Sequence, residues 1–180
     1  ILSGGKGTVS TMFSGQQIVL SSGEGTISSM SGGSQNISSG GSGTVDIMND
    51  GKQNISSGGV GTVSTMSAGQ QIVRSGGTGM VTTMNGGKQQ IISGTGTIST
   101  MSGGKQQIIS GTGTISTMSG GTQTVSNGGS GTVNALNSGY QNILSSGVGS
   151  ALGILGGTQQ IGSGGTGYVE HVTAKQIISG

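Results

Sequence analysis

The chain has 180 residues, of which 43 are Gly and 52 are Ser or Thr, with no Pro, Cys or Trp, 28% hydrophobic and 2% aromatic residues. So few bulky side chains exclude a conventional globular core, and without Pro or a strict Gly-X-Y triplet collagen is excluded as well. Six basic and four acidic residues give a net charge of +2, too little charge for a repulsion-driven disordered tail and, spread along the chain, no stripe for nucleic acid.

Without Cys there are no disulfides and no thiolate metal sites. No run of ~18 apolar residues suggests a membrane helix. The start, Ile1-Leu2-Ser3, falls in mid-pattern without a charged leader, so the chain reads as a piece of something longer.

In chain order the dominant feature is a repeat. A Gln two residues before an aliphatic marks each copy, at Gln16, Gln35, Gln53, Gln70, Gln89, Gln106, Gln123, Gln141, Gln159 and Gln176, in steps of 17 to 19 residues. Gly86 to Ser102 reads GGKQQIISGTGTISTMS, and Gly103 to Ser119 repeats it without a change. The consensus is G-G-x-Q-x-I-x-S-G-G-x-G-T-V-x-x-M-x, and the one-residue drift is expected at its Gly-Gly or Ser-Gly positions.

Three apolar positions recur. The first runs Ile18, Ile37, Ile55, Ile72, Ile91, Ile108, Val125, Ile143, Ile161 and Ile178, with Ile1 starting an earlier copy. The second runs from Val9 and Ile27 to Ala151 and Val169, and the third from Met12 and Met30 to Ile154 and Val172. Period-two alternation and β-branched residues around Q-x-I and G-T-V predict short strands bounded by glycine. Gly every four or five residues costs about 1 kcal/mol each in a helix interior, which excludes helix.

One period per turn predicts an all-β fold, a parallel β-helix or β-solenoid of about ten coils of 17–19 residues forming a single domain over residues 1–180. Coils stack at ~4.8 Å, so ten span ~48 Å, and each buries two β-branched residues and usually a Met, worth roughly 1.5–3 kcal/mol apiece. The second and third ladders are three residues apart, so both face inward only across a bend. The Gln shares the face of the first ladder, as an internal amide ladder would. Corners need positive φ, which Gly supplies.

Motifs for chemistry are sparse. GGSGT and GGVGT lack the Asp of calcium-binding nonapeptides, with Val45 and Val63 in its place. Asp46 and Asp50 read as a solvated pair on one coil, His171 beside Glu170 as a surface His, and the Gly-rich runs lack the helix and Lys-Ser/Thr of a phosphate loop. The sequons at Asn36 and Asn54 are the Q-N-I-S form of the repeat, and Thr-x-Thr is too scattered for an ice-binding array. No catalytic residue, cofactor or metal site is expected.

Gly32-Gly33-Ser34-Gln35-Asn36-Ile37-Ser38-Ser39-Gly40-Gly41 and Gly120-Gly121-Thr122-Gln123-Thr124-Val125-Ser126-Asn127-Gly128-Gly129 closely resemble the passenger repeats of AIDA-type self-associating autotransporter adhesins of Gram-negative bacteria. The resemblance extends over essentially the whole chain. It implies a right-handed β-helix, part of a longer passenger, displayed extracellularly on the bacterial surface and anchored in the outer membrane through a translocator domain. It also implies adhesion to host cells or to another copy, autoaggregation and biofilm formation, and O-linked heptose added by a heptosyltransferase. The acceptors it implies are Ser38, Ser56 and Ser126, after the first ladder, and Ser10, Ser28, Ser64, Ser99 and Ser116, after the second. The chain departs from the family pattern in its G-x-G-T-V segment, which replaces an Ala, and in its Met ladder. Neither nucleic acid nor membrane insertion of this segment is expected. The alternatives are a passive stalk for another domain and a polysaccharide-active β-helix enzyme, which needs a carboxylate pair about 5–10 Å apart in one groove.

Overall fold

Each repeat folds into one long strand on Gly-Thr-Val-x-x-Met and one short strand on Gln-x-Ile, with glycine-rich corners between them. The computed structural model describes residues 1–2 and 4–178, among which there is no helix. Its strands are β1 Lys6–Met12, β2 Gln16–Val19, β3 Glu24–Ile37, β4 Ser42–Ile55, β5 Val60–Met66, β6 Gln70–Val73, β7 Thr78–Met84 and β8 Lys88–Ile91. They continue as β9 Thr95–Met101, β10 Lys105–Ile108, β11 Thr112–Val125, β12 Ser130–Ile143, β13 Val148–Ile154, β14 Thr158–Ile161, β15 Thr166–Val172 and β16 Lys175–Ile178. In β3, β4, β11 and β12 the long and short segments run together through the corner.

Every pairing is parallel, and each strand pairs with its equivalents one coil away. The result is the expected β-solenoid of ten coils. Thr8, Thr26, Thr44 and Thr62 lie over one another, as do Val9, Ile27, Val45 and Val63. Pairing lapses at Ser10, Ser28 and Asp46, between the second and third ladders. That lapse is the bend that turns both Ile27 and Met30 inward.

The short strands differ from expectation in two coils. Gln35 pairs with Gln17 and Gln53 with Gln71, which places Gln17 and Gln71 in the amide column and Gln16 and Gln70 outside it. Val19 and Val73 therefore occupy the first ladder, while Ile18 is 47% exposed and Ile72 faces outward beneath its neighbours. In Gln-Gln-Ile-Val either phase satisfies the local alternation. Pairing with the next coil selects one, since a one-residue slip would break the register of the whole strand. Successive Gln of the column are then 18 residues apart except between Gln89, Gln106 and Gln123 and between the buried Gln159 and the exposed Gln176, where the step is 17.

Between Gln89, Gln106 and Gln123 the lost residue comes from the Ser-Gly-Gly turn, whereas between Gln159 and Gln176 it comes from the corner between β15 and β16. In the 18-residue coil, Gly41 N donates to Ser38 O at 3.0 Å across Ser39 and Gly40, both at positive φ (53° and 78°). Positive φ at both central residues is the type I′ signature, whose twist matches that of flanking strands. In the coils shortened at this turn, Ile92-Ser93-Gly94 replaces the four turn residues that begin with Ser38, and neither Ser93 nor Gly94 has positive φ.

Two apolar columns form the core. Ile27, Met30, Val45, Met48 and their equivalents make one, and Val19, Ile37, Ile55, Val73 and theirs the other, with Ile1 packed against its first member. The columns touch across very little space. A Cβ on Gly43 would overlap Ile37 Cδ1 and lie 2.7 Å from Gln35 Oε1, so the second Gly of G-x-G-T is required by close approach.

Candidate functional site

Burial divides the repeat into inward and outward columns. Among inward positions the Gln column is fully hydrogen-bonded along the axis. Gln35 Nε2 donates to Gln17 Oε1 at 2.7 Å and to Gly25 O at 3.1 Å, and the same pair of bonds recurs at Gln53, Gln71 and Gln89. Buried amides demand such partners. This column is structural, and function falls to the outer surface.

The serines implied as acceptors occupy two outward columns. Ser10, Ser28, Ser64, Ser99 and Ser116 sit on the ridge where pairing lapses; Ser10, Ser28 and Ser99 are exposed and Ser64 and Ser116 half-buried. Ser10 and Ser28, like Ser99 and Ser116, are one coil apart, ~4.8 Å along the axis. Ser38, Ser56 and Ser126 are half-buried at the first position of the turn. Ser126 Oγ donates to Ile108 O at 3.4 Å, and Ser38 and Ser56 border a shallow cleft with Asn36, Asn54 and Arg74. The sequon residues Asn36 and Asn54 bond each other, Asn54 Nδ2 donating to Asn36 Oδ1 at 2.8 Å.

Asp46 lies exposed on the serine ridge, whereas Asp50 lies exposed at the following corner, in a cleft lined by Gly51 and Lys52. Glu170 and His171 are exposed neighbours on β15. Among the described residues no three His, Cys, Asp or Glu converge as metal ligands, and no helix is long and apolar enough to cross a membrane. Lys6 Nζ lies 2.8 Å from Glu24 on the next coil. That hydrogen bond, then the carboxylate's charge, raises the ammonium pKa above its ordinary value.

A face emerges that sequence reading missed. Lys52, Lys88, Lys105 and Lys175 share one outward column, immediately before the buried Gln, in the order Lys52, Gln70, Lys88, Lys105, Thr122, Tyr140, Thr158, Lys175. Arg74 projects from the same sheet four residues beyond Gln70, in the cleft with Asn54. Five of the six basic residues thus face one way, although linear spacing scatters them. The recurring Gly-Gly-Lys-Gln of the repeat was the available signal, legible only once the chain is folded at its period.

No protein-family model and no curated protein sequence matches the chain. Among solved structures it is similar to the crystal structure of a TibC-catalysed, hyper-glycosylated TibA fragment, with a TM-score of 0.65 and 27% identity, over 99% of this chain and 76% of that one. The likeness supports the resemblance to passenger repeats drawn from the Gly-Gly-x-Gln motif: in architecture this chain is a β-solenoid rod like the glycosylated TibA fragment.

Proposed function

We propose that the chain is a single solenoid domain within a longer autotransporter passenger, displayed on the bacterial surface as an adhesive, O-glycosylated rod. One observation carries the reading: the chain is similar over 99% of its length to a fragment described as hyper-glycosylated, and it presents serine columns outward at one coil's spacing. In this reading a heptosyltransferase modifies Ser10, Ser28, Ser64, Ser99 and Ser116 on the ridge and Ser38, Ser56 and Ser126 at the turn. The rod then contacts host surfaces or another copy, supporting autoaggregation and biofilm growth. Low charge opposes lateral association only weakly, and many repeated contacts add by avidity. The rod carries no chemistry of its own.

Co-expression with TibC followed by intact mass and peptide mapping tests this. Increments of ~192 Da on peptides holding these serines are expected, together with settling of cells that display the rod. An unmodified mass in the presence of active enzyme would overturn the acceptor assignment, and dispersed cells would overturn the adhesive one in favour of a passive stalk.

A further inference from the structure

The basic face described above has three properties that together define a ligand. Lys88 and Lys105 are direct register partners, so like charges stand one coil apart, ~4.8 Å, and Lys52 lies two coil spacings from Lys88. Like charges directly opposite on adjacent strands repel, and three of the four acids lie elsewhere. Glu24, Asp46 and Glu170 are on the long strands, and Asp50, beside Lys52, is at the corner. Next to the Lys column runs an outward column of Asn36, Asn54, Ile72, Gln90 and Gln107, an amide at every coil but that of Ile72, in which Gln90 Nε2 donates to Gln107 Oε1 at 3.2 Å and Asn54 bonds Asn36. The face is therefore a strip of cations, one or two coils apart, flanked by amide donors and acceptors.

We infer that this strip binds an extended acidic polysaccharide lying along the solenoid axis, its carboxylates on Lys52, Lys88 and Lys105 and its hydroxyls on the amide column. A polymer with a carboxylate on each sugar, or on alternate sugars, has its charges about one or two coil spacings apart, which is the spacing of the lysines. Duplex DNA is a poorer match, with one phosphate charge per ~1.7 Å of axis. Single strands want stacking aromatics, and Tyr140 is the single aromatic residue in the column. The inference rests on the adhesive reading above and supplies its partner, but not on glycosylation.

The test is binding of the purified, unmodified chain to immobilised polygalacturonate at low salt, with dextran, duplex DNA and phosphatidylserine vesicles in parallel. Binding to polygalacturonate but not dextran is expected, weakened at least about tenfold in the triple variant K52Q/K88Q/K105Q. The variant T8E/T82E/T100E makes the same change in net charge on outward positions of the long strands and should stay within about threefold of the parent. Absence of binding, equal weakening by both variants, or tighter binding to DNA or vesicles would overturn the inference. None of these results touches the mass and settling experiments that decide the glycosylated rod, so the two readings fail separately.

Discussion

Replacing Gln89 by Leu tests whether the amide column holds the coils together. Gln89 is fully buried, and its Nε2 donates to Gln71 Oε1 at 2.7 Å and to Gly79 O at 3.2 Å while its Oε1 accepts from Gln106 Nε2 at 2.7 Å. Leu nearly conserves volume, so the cavity term is small, but it leaves Gln71 Oε1 and one Gln106 N–H without partners in a site closed to water. At about 1–3 kcal/mol for each orphaned group, partly offset by the better burial of Leu, the loss is about 2–4 kcal/mol. The outward Gln90 is the control: Gln90→Leu removes one half-buried bond of 3.2 Å and should cost less than about 1 kcal/mol. Gln89→Glu adds a pH test. Burial raises the folded-state pKa of the new carboxyl above its unfolded value, so its destabilisation is small below the unfolded value near ~4.3 and grows as pH rises through the folded one. Guanidinium unfolding followed by circular dichroism, with amide exchange in the flanking coils, reads all three variants. A Gln89→Leu chain within about 0.5 kcal/mol of the parent, or a Gln89→Glu chain with flat pH dependence, would refute the assignment of the column as a buried, mutually satisfied hydrogen-bond chain.

Three further outcomes follow from the same geometry. Gly113→Ala should destabilise by about 1–3 kcal/mol in chemical denaturation, because the new Cβ would overlap Ile108 Cδ1 and lie 2.7 Å from Ile108 Cγ1. Ser39→Asn should stabilise by a few tenths to about 1 kcal/mol in the same assay, since Ser39 holds φ 53° where the equivalent turn uses Asn127 at 51°. Deleting Gly103 to Ser119 removes one whole 17-residue period and should leave the circular-dichroism spectrum and cooperative melting intact, whereas deleting nine of those residues misaligns the coils that follow and lowers the melting temperature by several degrees at least. Equal melts for the two deletions would contradict the register.

Much of this architecture was legible because each coil repeats the same physical problem. Ile27, Val45 and Val63 recur at one phase with Met30, Met48 and Met66 three residues later, and the odd spacing itself required the bend found at Ser28 and Asp46. The buried Gln column followed from the parity of Gln-x-Ile. What stayed hidden was whatever local alternation leaves ambiguous. Gln16-Gln17-Ile18-Val19 contains two adjacent Gln and two adjacent aliphatics, and only pairing with Gln35 and Ile37 selects the second of each. The basic face stayed hidden for a related reason: Lys52, Lys88 and Lys105 are neighbours in the stack, not in the chain. The serines proposed as acceptors follow the repeat in sequence, and their division into a ridge and a half-buried turn column needed the bend and the type I′ turn in place.

The shortened coils show which contacts define the stack and which merely complete it. The bond from Gln to the glycine carbonyl of the previous coil is dispensable: Gln106 and Gln123, after shortened turns, keep 2.7 Å and 2.6 Å bonds to the preceding Gln but make none to Gly96 or Gly113, and Gln159, after a full-length turn, keeps its 2.8 Å bond to Gln141 but makes none to Gly149. Ile91, Ile108 and Val125 nevertheless remain fully buried and in register. The Gln–Gln bond and the aliphatic ladder are therefore conditions of stacking, whereas turn length and the extra carbonyl bond are adjustable. Since turn length does not propagate into the core, neither does the identity of outward residues, and one column can hold Gln70, Lys88, Thr122 and Tyr140 on the same backbone. That freedom lets the inward columns stay nearly invariant while the outward ones carry serines on the ridge and lysines on the short-strand face. A surface function built from such columns changes by substitution within a coil, without cost to the rod beneath it.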